Sequence, residues 1–236
     1  MVNNNTCKEW NNKEYVKHGF KAQRLYPNEE LCRFMGRNFF HLSNSQRKQI
    51  RILELGCGTC ANIWMIAKEG FDAHGIDFSA QAIKLGGMML DKWGASAKLK
   101  VMDMTKLDYK DEYFDAVVDV FASYCLREDA FSRCLSEVRR VLKKGGLFFS
   151  YTPSVDSDAF INFKPSVKLD RWTIDGIKRK DAPYFNNDFP FRFTSPAEYQ
   201  RLLKKQKFSI EYLETVSKTY RQMQEKFEFV IITGKK

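Results

Sequence analysis

The stretch from Arg51 to Asp77 restricts the possible folds of this chain more than any other. Arg51-Ile52-Leu53-Glu54-Leu55 is a short, β-prone apolar run, and Gly56-Cys57-Gly58-Thr59-Cys60 stops it at once. Asn62 to Glu69 then places Ile63, Ile66 and Ala67 at helical spacing, and Asp72 to Asp77 is strand-like again. Strand, glycine turn, helix and strand in that order form a βαβ unit, which builds parallel sheets covered by helices on both faces. Glycines at 56 and 58 let the backbone turn tightly and approach a ligand with no side chain between them. Asp77 stands 19 residues beyond Gly58, at the end of the second strand. A carboxylate there can accept both hydroxyl protons of a ribose, as in nucleotide-binding βαβ units.

The pattern continues. Ser79 can cap a helix from Ala80 to about Lys92, followed by strands at Ala97–Met102 and Phe114–Val120. Asp129–Leu142 reads as a helix with Phe131, Leu135, Val138 and Leu142 on one face, and Gly145-Gly146 ends it before the strand Leu147–Tyr151. Residues 153–190 change style, with prolines at 153, 165 and 183 and several aromatics without a period, and read as an inserted lobe. Ser195-Pro196-Ala197-Glu198 is a capping box with proline at the first helical position, opening a helix to about Gln206. Phe208–Val216 and Phe227–Thr233 then pair as an antiparallel hairpin. The expected architecture is a single α/β domain with a doubly wound, mostly parallel sheet. Residues 1–50 form an N-terminal helical cap, 51–152 the cofactor-binding core, 153–190 a substrate lobe, and 191–236 the closing helix and hairpin.

A length of 236 residues fits one such domain with an inserted cap, and 44% hydrophobic residues exclude wholesale disorder. No run approaches the ~18 apolar residues of a membrane span. The polar start Met1-Val2-Asn3-Asn4-Asn5-Thr6 lacks the order of a secretory signal, so the expectation is a soluble, cytoplasmic protein. Six cysteines, at 7, 32, 57, 60, 125 and 134, do not make a disulfide scaffold in so long a chain. One CxxC pair and histidines at 18, 41 and 74 give no zinc-ligand spacing, so no metal is expected. Cys57 and Cys60 read either as small side chains suited to the turn or as a redox pair at a helix N-terminus. The net charge of +10 divides into +5 over residues 1–50, zero over 51–150 and +5 over 151–236. Basic flanks around a neutral centre suit an anionic partner, or simply a solvated surface.

From Gly56 the loop reads G-C-G-T-C-A, and the dinucleotide pattern tolerates Ala61 at its last place. Glu54, directly before the turn, suits a ligand carrying a cation better than a diphosphate. Four runs resemble class I S-adenosylmethionine-dependent methyltransferases, particularly the small-molecule, ubiquinone-biosynthesis-like (type 11) branch. They are Ile52-Leu53-Glu54-Leu55-Gly56-Cys57-Gly58-Thr59, Gly75-Ile76-Asp77-Phe78-Ser79, Phe114-Asp115-Ala116-Val117-Val118 and Glu137-Val138-Arg139-Arg140-Val141-Leu142-Lys143-Lys144-Gly145-Gly146. The resemblance covers about 50–152, and 191–236 by order of elements. The family's usual third loop glycine is Cys60 here. Trp10 and Tyr26-Pro27-Asn28-Glu29 resemble methyltransferases found with surface-polysaccharide synthesis.

The resemblance implies a seven-stranded sheet of order 3-2-1-4-5-7-6, with S-adenosyl-L-methionine as cofactor and S-adenosyl-L-homocysteine as product. It implies Glu54 and the Gly56-Cys57-Gly58 backbone beside the methionine portion, Asp77 on the ribose and Phe78 on the adenine. Asp103 would accept from the adenine amino group, with Met104 nearby. Asp119 and Val120 end the fourth strand, where the family contacts the methionine amino group and faces the acceptor. Phe78 and Met104 are equally readable as core, and Asp77 as a helix cap.

Methyl transfer needs alignment and, for a hydroxyl acceptor, a base. Candidates for that base are His18, Tyr124 and Asp156, whereas His74 lies on a central strand and His41 on a helix face. Asp119-Val120-Phe121-Ala122-Ser123-Tyr124 lacks the Pro-Pro stretch of base-amine methyltransferases, and no Pro-Cys occurs for attack on a pyrimidine, leaving Cys125 as a lone thiol. In the lobe, Arg171-Trp172, Lys178-Arg179-Lys180 and Tyr184-Phe185 interleave cations with aromatics. Such residues suit a phosphate with a ring or sugar, single-stranded nucleic acid, or an exposed basic loop. The favoured reading is methylation, at oxygen, of a small anionic acceptor such as a nucleotide-linked sugar or phosphorylated metabolite. An RNA methyltransferase using the basic flanks, an NAD-dependent oxidoreductase and a non-catalytic cofactor-binding protein are the alternatives.

Overall fold

The computed structural model describes residues 13–236; Met1–Thr6, Cys7 and Trp10 lie outside the described residues. Five parallel strands come first: β1 (Arg51–Leu55), β2 (Asp72–Asp77), β3 (Lys98–Val101), β4 (Phe114–Val120) and β5 (Leu142–Pro153). Two short strands, β6 (Thr173–Ile174) and β7 (Phe191–Arg192), form a separate antiparallel ribbon that the sequence did not foreshadow. The last two, β8 (Ser209–Tyr220) and β9 (Glu225–Lys235), are antiparallel, and β9 pairs with β5. The main sheet runs β3-β2-β1-β4-β5-β9-β8, which is the expected 3-2-1-4-5-7-6 once the ribbon is set aside.

Burial on both faces explains the composition of the central strands. In β4, Phe114, Ala116, Val117 and Val118 are all fully buried. Val117 joins Leu53, Phe131, Leu135, Val138 and Leu203 on one face of the sheet. Ala116 and Val118 join Phe34, Ile63, Ile66 and Phe149 on the other. Each of the larger side chains contributes ~1.5–3 kcal/mol relative to exposure, so the sheet is held from both sides. The covering helices begin with α1 (Glu29–Asn38), which Asn28 caps by accepting from the Glu30 and Leu31 N–H groups, and the short α2 (Asn44–Arg47). Next come α3 (Ile63–Lys68), α4 (Ala80–Trp93), α5 (Glu128–Val141), the short α6 (Asp158–Ile161) and α7 (Pro196–Lys205). Among the described residues no helix is long and apolar enough to cross a membrane.

Two details differ from expectation. Gly145-Gly146 does not terminate α5; the helix ends at Val141, and Leu142 already pairs with Phe114 in β5. The glycines lie within the strand, where the register shifts and Gly145 takes a φ of +77°. The hairpin is also longer than the apolar runs suggest, because Ser217-Lys218-Thr219-Tyr220 continues β8 as an edge strand paired with Glu225–Glu228. That extension carries Lys218 and Tyr220 to the cavity described below.

The N-terminal cap, where described, is helical over 13–18, turns through Gly19–Ala22 and leads into α1. Tyr26 packs edge-on against Trp64 and Trp93, whose rings stack 4.2 Å apart, and the Trp64 indole donates to the Leu25 carbonyl at 3.1 Å. These contacts fix the segment from Lys21 to Asn28 over the loop that follows β1.

Candidate functional site

The loop after β1 is shaped by three left-handed residues: Gly56 (φ +58°), Gly58 (φ +51°) and Cys60 (φ +64°). A Cβ on Gly56 would stand 2.5 Å from the Ala122 Cβ, so the glycine is required by space as well as by conformation. A Cβ on Gly58 would meet the Gln23 side chain of the cap, whose Oε1 accepts from the Thr59 N–H at 3.3 Å. Cys60 holds its unusual backbone because its thiol is buried in a notch: a Cβ on Gly86 of α4 would lie 2.6 Å from its Sγ. Cys57 sits likewise against Gly75, and the two sulfurs are 4.0 Å apart. The hydrogen bond from Cys60, with burial, pushes the Cys57 thiol well up. This is packing chemistry, the reverse of an acidified redox thiol.

Asp77 ties the loop to the next helix. Its Oδ2 accepts from the Gly58 N–H at 3.0 Å and its Oδ1 from the Ser79 N–H at 2.8 Å. Burial raises its pKa to about 6 against the opposing pull of those two bonds. Glu54, at the end of β1, is buried, and its Oε1 accepts from the Asn62 side-chain amide. Asn62 in turn accepts the Asn28 N–H at 2.9 Å, so the cap and this carboxyl are coupled. The Glu54 Oε2 has no partner although it is buried. Desolvation pushes this carboxyl up to about 8, with Asn62 and the field of Arg24 pulling the other way.

Above these groups lies a cavity of about 510 Å³. Glu54, Gly56, Cys57, Ala61, Asn62 and Val120 form its inner part, and Lys21, Gln23, Arg24 and Asn28 of the cap cover it. Phe121, Tyr124, Tyr151, Tyr184, Lys218 and Tyr220 form the far wall. It opens at the carboxyl ends of β1 and β4, where open α/β sheets bind ligands.

The candidate residues divide accordingly. Glu54, Gly56, Cys57 and Val120 line the cavity, and Gly58 and Asp77 lie at the loop bonded to one another. Met104 is buried, its Cε 3.6 Å from where a Gly56 Cβ would stand; Phe78 is half-buried beside the larger core. Asp103 is exposed, and its Oδ1 accepts from both the N–H and the hydroxyl of Thr105. Asp119 departs from its expected contact with a ligand amino group. It is fully buried, with Oδ1 accepting from the Ala122 and Ser123 N–H groups and Oδ2 from the Ser123 and Ser150 hydroxyls. Four internal donors make it the post that folds the loop after β4.

Of the three proposed bases, Tyr124 lines the cavity. His18 is paired with Glu14 at 3.5 Å, and Asp156 is exposed; neither is in the lining. Of the lobe residues, Tyr184 alone reaches the lining. Lys178 pairs with Asp175, Arg179 with the buried Glu225, and Arg171 lies 4.7 Å over Trp172. Lys180 is exposed, its carbonyl accepting from Arg221. His74 is buried 3.3 Å from Asp72, and His41 lies in the turn after α1 rather than on a helix face. The half-buried Cys125 thiol donates to the Ala122 carbonyl. Sequence reasoning missed Lys21, Gln23, Arg24, Asn62, Tyr151, Lys218 and Tyr220. For the last two a signal existed: the alternation of Val216, Lys218 and Tyr220 continues the strand period.

The site fits S-adenosylmethionine on its own features. Glu54 offers a buried, partnerless oxygen to an amino group, and Gly56, which has no side chain, lines the same cavity while Ala122 packs against its Cα. Among the described residues no group of three His, Cys, Asp or Glu side chains is placed to hold a metal ion.

Residues 52–146 match the family model described as a methyltransferase domain. The chain is similar to the sterol 24-C-methyltransferase ERG6B of Gibberella zeae, 32% identical over 137 residues, or 56% of this chain and 36% of that protein. It is similar to the phosphatidylethanolamine N-methyltransferase of Cereibacter sphaeroides, 34% identical over 98 residues, or 41% of this chain and 47% of that protein. It thus spans less than half the length of these curated relatives. Among solved structures, a protein from Pyrococcus horikoshii OT3 superposes with a TM-score of 0.65 at 19% identity, covering 94% of this chain and 99% of that one. The 1,6-didemethyltoxoflavin-N1-methyltransferase of Burkholderia thailandensis, solved with 1,6-didemethyltoxoflavin and S-adenosylhomocysteine bound, gives 0.62 at 12% identity, covering 100% and 91%. These likenesses are of fold. The sheet order and the match of residues 52–146 to a methyltransferase-domain model agree that the chain has the Rossmann-like methyltransferase fold.

Proposed function

We propose that this chain transfers the methyl group of S-adenosylmethionine to a small anionic acceptor held in the cavity over the β1 loop. The observation that carries the reading is the unpartnered, buried Oε2 of Glu54 at the inner end of a cavity whose far side is lined by hydrogen-bond donors. A buried polar atom without a partner costs ~1–3 kcal/mol, which a ligand amino group would relieve. S-adenosylmethionine, when bound, supplies an electrophilic methyl group on a sulfonium. Glu54 would accept from the amino group, Asp77 would receive the ribose hydroxyls, and the tight turns at Gly56 and Gly58 would shape the loop beneath the ligand. Asn62 holds Glu54 in place and links it to the cap.

The remaining task is alignment and exclusion of water. The cap segment Lys21–Asn28 and the wall from Phe121 to Tyr220 enclose the cavity from opposite sides. Where the acceptor atom is a hydroxyl oxygen, Tyr124, which lines the cavity, is the one of the three candidate bases that this reading retains. The anionic character of the acceptor rests on Lys21, Arg24 and Lys218 in the lining, against Glu54 as its one carboxylate. The cations first assigned to the lobe lie outside the lining, and Lys178 and Arg179 are ion-paired, which weighs against their holding an acceptor in this cavity. The relatives' names, sterol and phosphatidylethanolamine methyltransferases, support a small-molecule acceptor.

The test is calorimetry with S-adenosylhomocysteine, S-adenosylmethionine and NAD, followed by transfer of labelled methyl to candidate acceptors. Binding of both sulfur compounds without NAD supports the reading. Tighter binding of NAD would establish the oxidoreductase, and binding without turnover on any acceptor the non-catalytic scaffold.

A further inference from the structure

The far wall of the cavity is aromatic to an unusual degree. Phe121 stacks on Tyr124 with centroids 4.4 Å apart, and Tyr184 packs on Phe121 at 4.7 Å. Tyr151 is stacked at 4.2 Å on Phe229, which itself lies 5.7 Å from Phe121. Two of these residues hold backbones that L-residues rarely adopt: Phe121 at φ +59° and Tyr184 at φ +62°. Conformations of this kind cost ~1–3 kcal/mol each and persist where surrounding structure imposes them, often at ligand sites. Here both strained residues contribute rings to one wall, from two separate elements, β4's exit and the inserted lobe.

The polar groups in and around that wall are chiefly donors. The Tyr151 phenol is an O–H donor at neutral pH, and burial raises its pKa further. Lys218 enters from the β8 extension and Lys21 from the cap. Arg24 also lines the cavity, but its field acts on Glu54. It therefore serves the cofactor end as well as the acceptor end.

We propose that this chamber selects a planar aromatic acceptor bearing a carboxylate, its ring against Phe121 and Tyr184 and its anionic group beside Lys218. The proposal rests on the cofactor reading above and names the acceptor class for the same site. Ring faces reward a flat π-system, since offset or edge-on aromatic pairs add stabilisation beyond burial. Lysine ammonium and phenol donors reward negatively charged oxygen, because charge-assisted hydrogen bonds are the stronger ones. An uncharged or non-planar acceptor would leave one of the two features unused.

The test uses the full chain saturated with S-adenosylhomocysteine, titrated with 4-hydroxybenzoate, 4-hydroxybenzamide, cyclohexanecarboxylate and glucose 1-phosphate. The expected result is that 4-hydroxybenzoate binds about tenfold or more tighter than each of the other three. Lys218→Gln should erase the preference for carboxylate over amide, and Tyr184→Leu the preference for the aromatic over the cyclohexane ring. Both variants should keep wild-type affinity for S-adenosylhomocysteine, which reports an intact fold. Equal binding of all four, no binding of any, or tightest binding of glucose 1-phosphate would overturn the aromatic-carboxylate assignment while leaving the cofactor reading in place. Failure of the wild-type chain to bind S-adenosylhomocysteine at all would overturn both.

Discussion

On the proposed reading Glu54 should make the affinity of the site for its cofactor dependent on pH, by a magnitude that follows from its surroundings. In the ligand-free chain this carboxyl titrates at about 8, because desolvation outweighs its bond from Asn62. Below that pH it is neutral, and receiving an ammonium group requires it to ionise. Each pH unit below 8 adds about 1.4 kcal/mol to that cost, a tenfold loss of affinity. Asp77 titrates at about 6, so the window from about pH 7 to pH 8 belongs chiefly to Glu54. S-adenosylhomocysteine affinity should therefore rise by up to about tenfold per pH unit across that window and flatten above it. Up to one proton should be released on binding near pH 7. Calorimetry in two buffers of different ionisation enthalpy measures both quantities.

The same shift has an opposite signature in stability. The unfolded chain titrates Glu54 near its ordinary 4.5, so between 4.5 and 8 the folded state holds the extra proton. Stability of the free protein then falls as pH rises through that window, by at most about 1.4 kcal/mol per unit. Glu54→Gln should abolish both the slope in affinity and the proton release. A variant that keeps both would refute the assignment of Glu54 as the ammonium partner.

Gly56→Val forces a side chain into Ala122 and a β-branched residue into a left-handed backbone; it should abolish S-adenosylhomocysteine binding and lower stability by ~1–3 kcal/mol, read by calorimetry and urea unfolding. Asp77→Ala should weaken binding by ~1–3 kcal/mol, the scale of a lost charged acceptor; unchanged affinity would mean that the ribose is held elsewhere. Asp119→Ala strands two serine hydroxyls and two backbone N–H groups, so unfolding should show a loss of ~3–5 kcal/mol. Its S-adenosylhomocysteine affinity, measured on the folded fraction, should change far less. Neutralising Arg171, Lys178 and Lys180 together should leave the acceptor KM near wild type, because none of them lines the cavity. A large rise in KM would restore the lobe as the anion site.

Much of this fold was legible because its signals are local. The apolar run of β4 declares burial on both faces, and Ser79, Ser195 and Pro196 mark helix starts by their side-chain chemistry. The turn at Gly56 and Gly58 and the strand end at Asp77 were legible because their spacing is set by one βαβ unit. The cap and the acceptor wall were not. Gln23 meets Thr59 and Asn28 meets Asn62 across 36 and 34 positions of sequence, through hydrogen bonds that no period encodes. Lys178 and Arg179 misled for a related reason: a cation's partner, here Asp175 three residues away or Glu225 across the fold, decides whether its charge is available. The glycine pair at 145–146 was read as a helix stop, although tertiary pairing of Leu142 with Phe114 had already ended the helix.

The central claim is that Glu54 and the β1 loop hold the amino-acid end of S-adenosylmethionine in the cavity capped by Lys21–Asn28. A crystal structure of the full chain with S-adenosylhomocysteine tests it most directly. The expected result is the ligand amino group within hydrogen-bond reach of the Glu54 Oε2 and the ribose hydroxyls on Asp77. Density for the ligand elsewhere, with the Glu54 Oε2 still unpartnered, would contradict it.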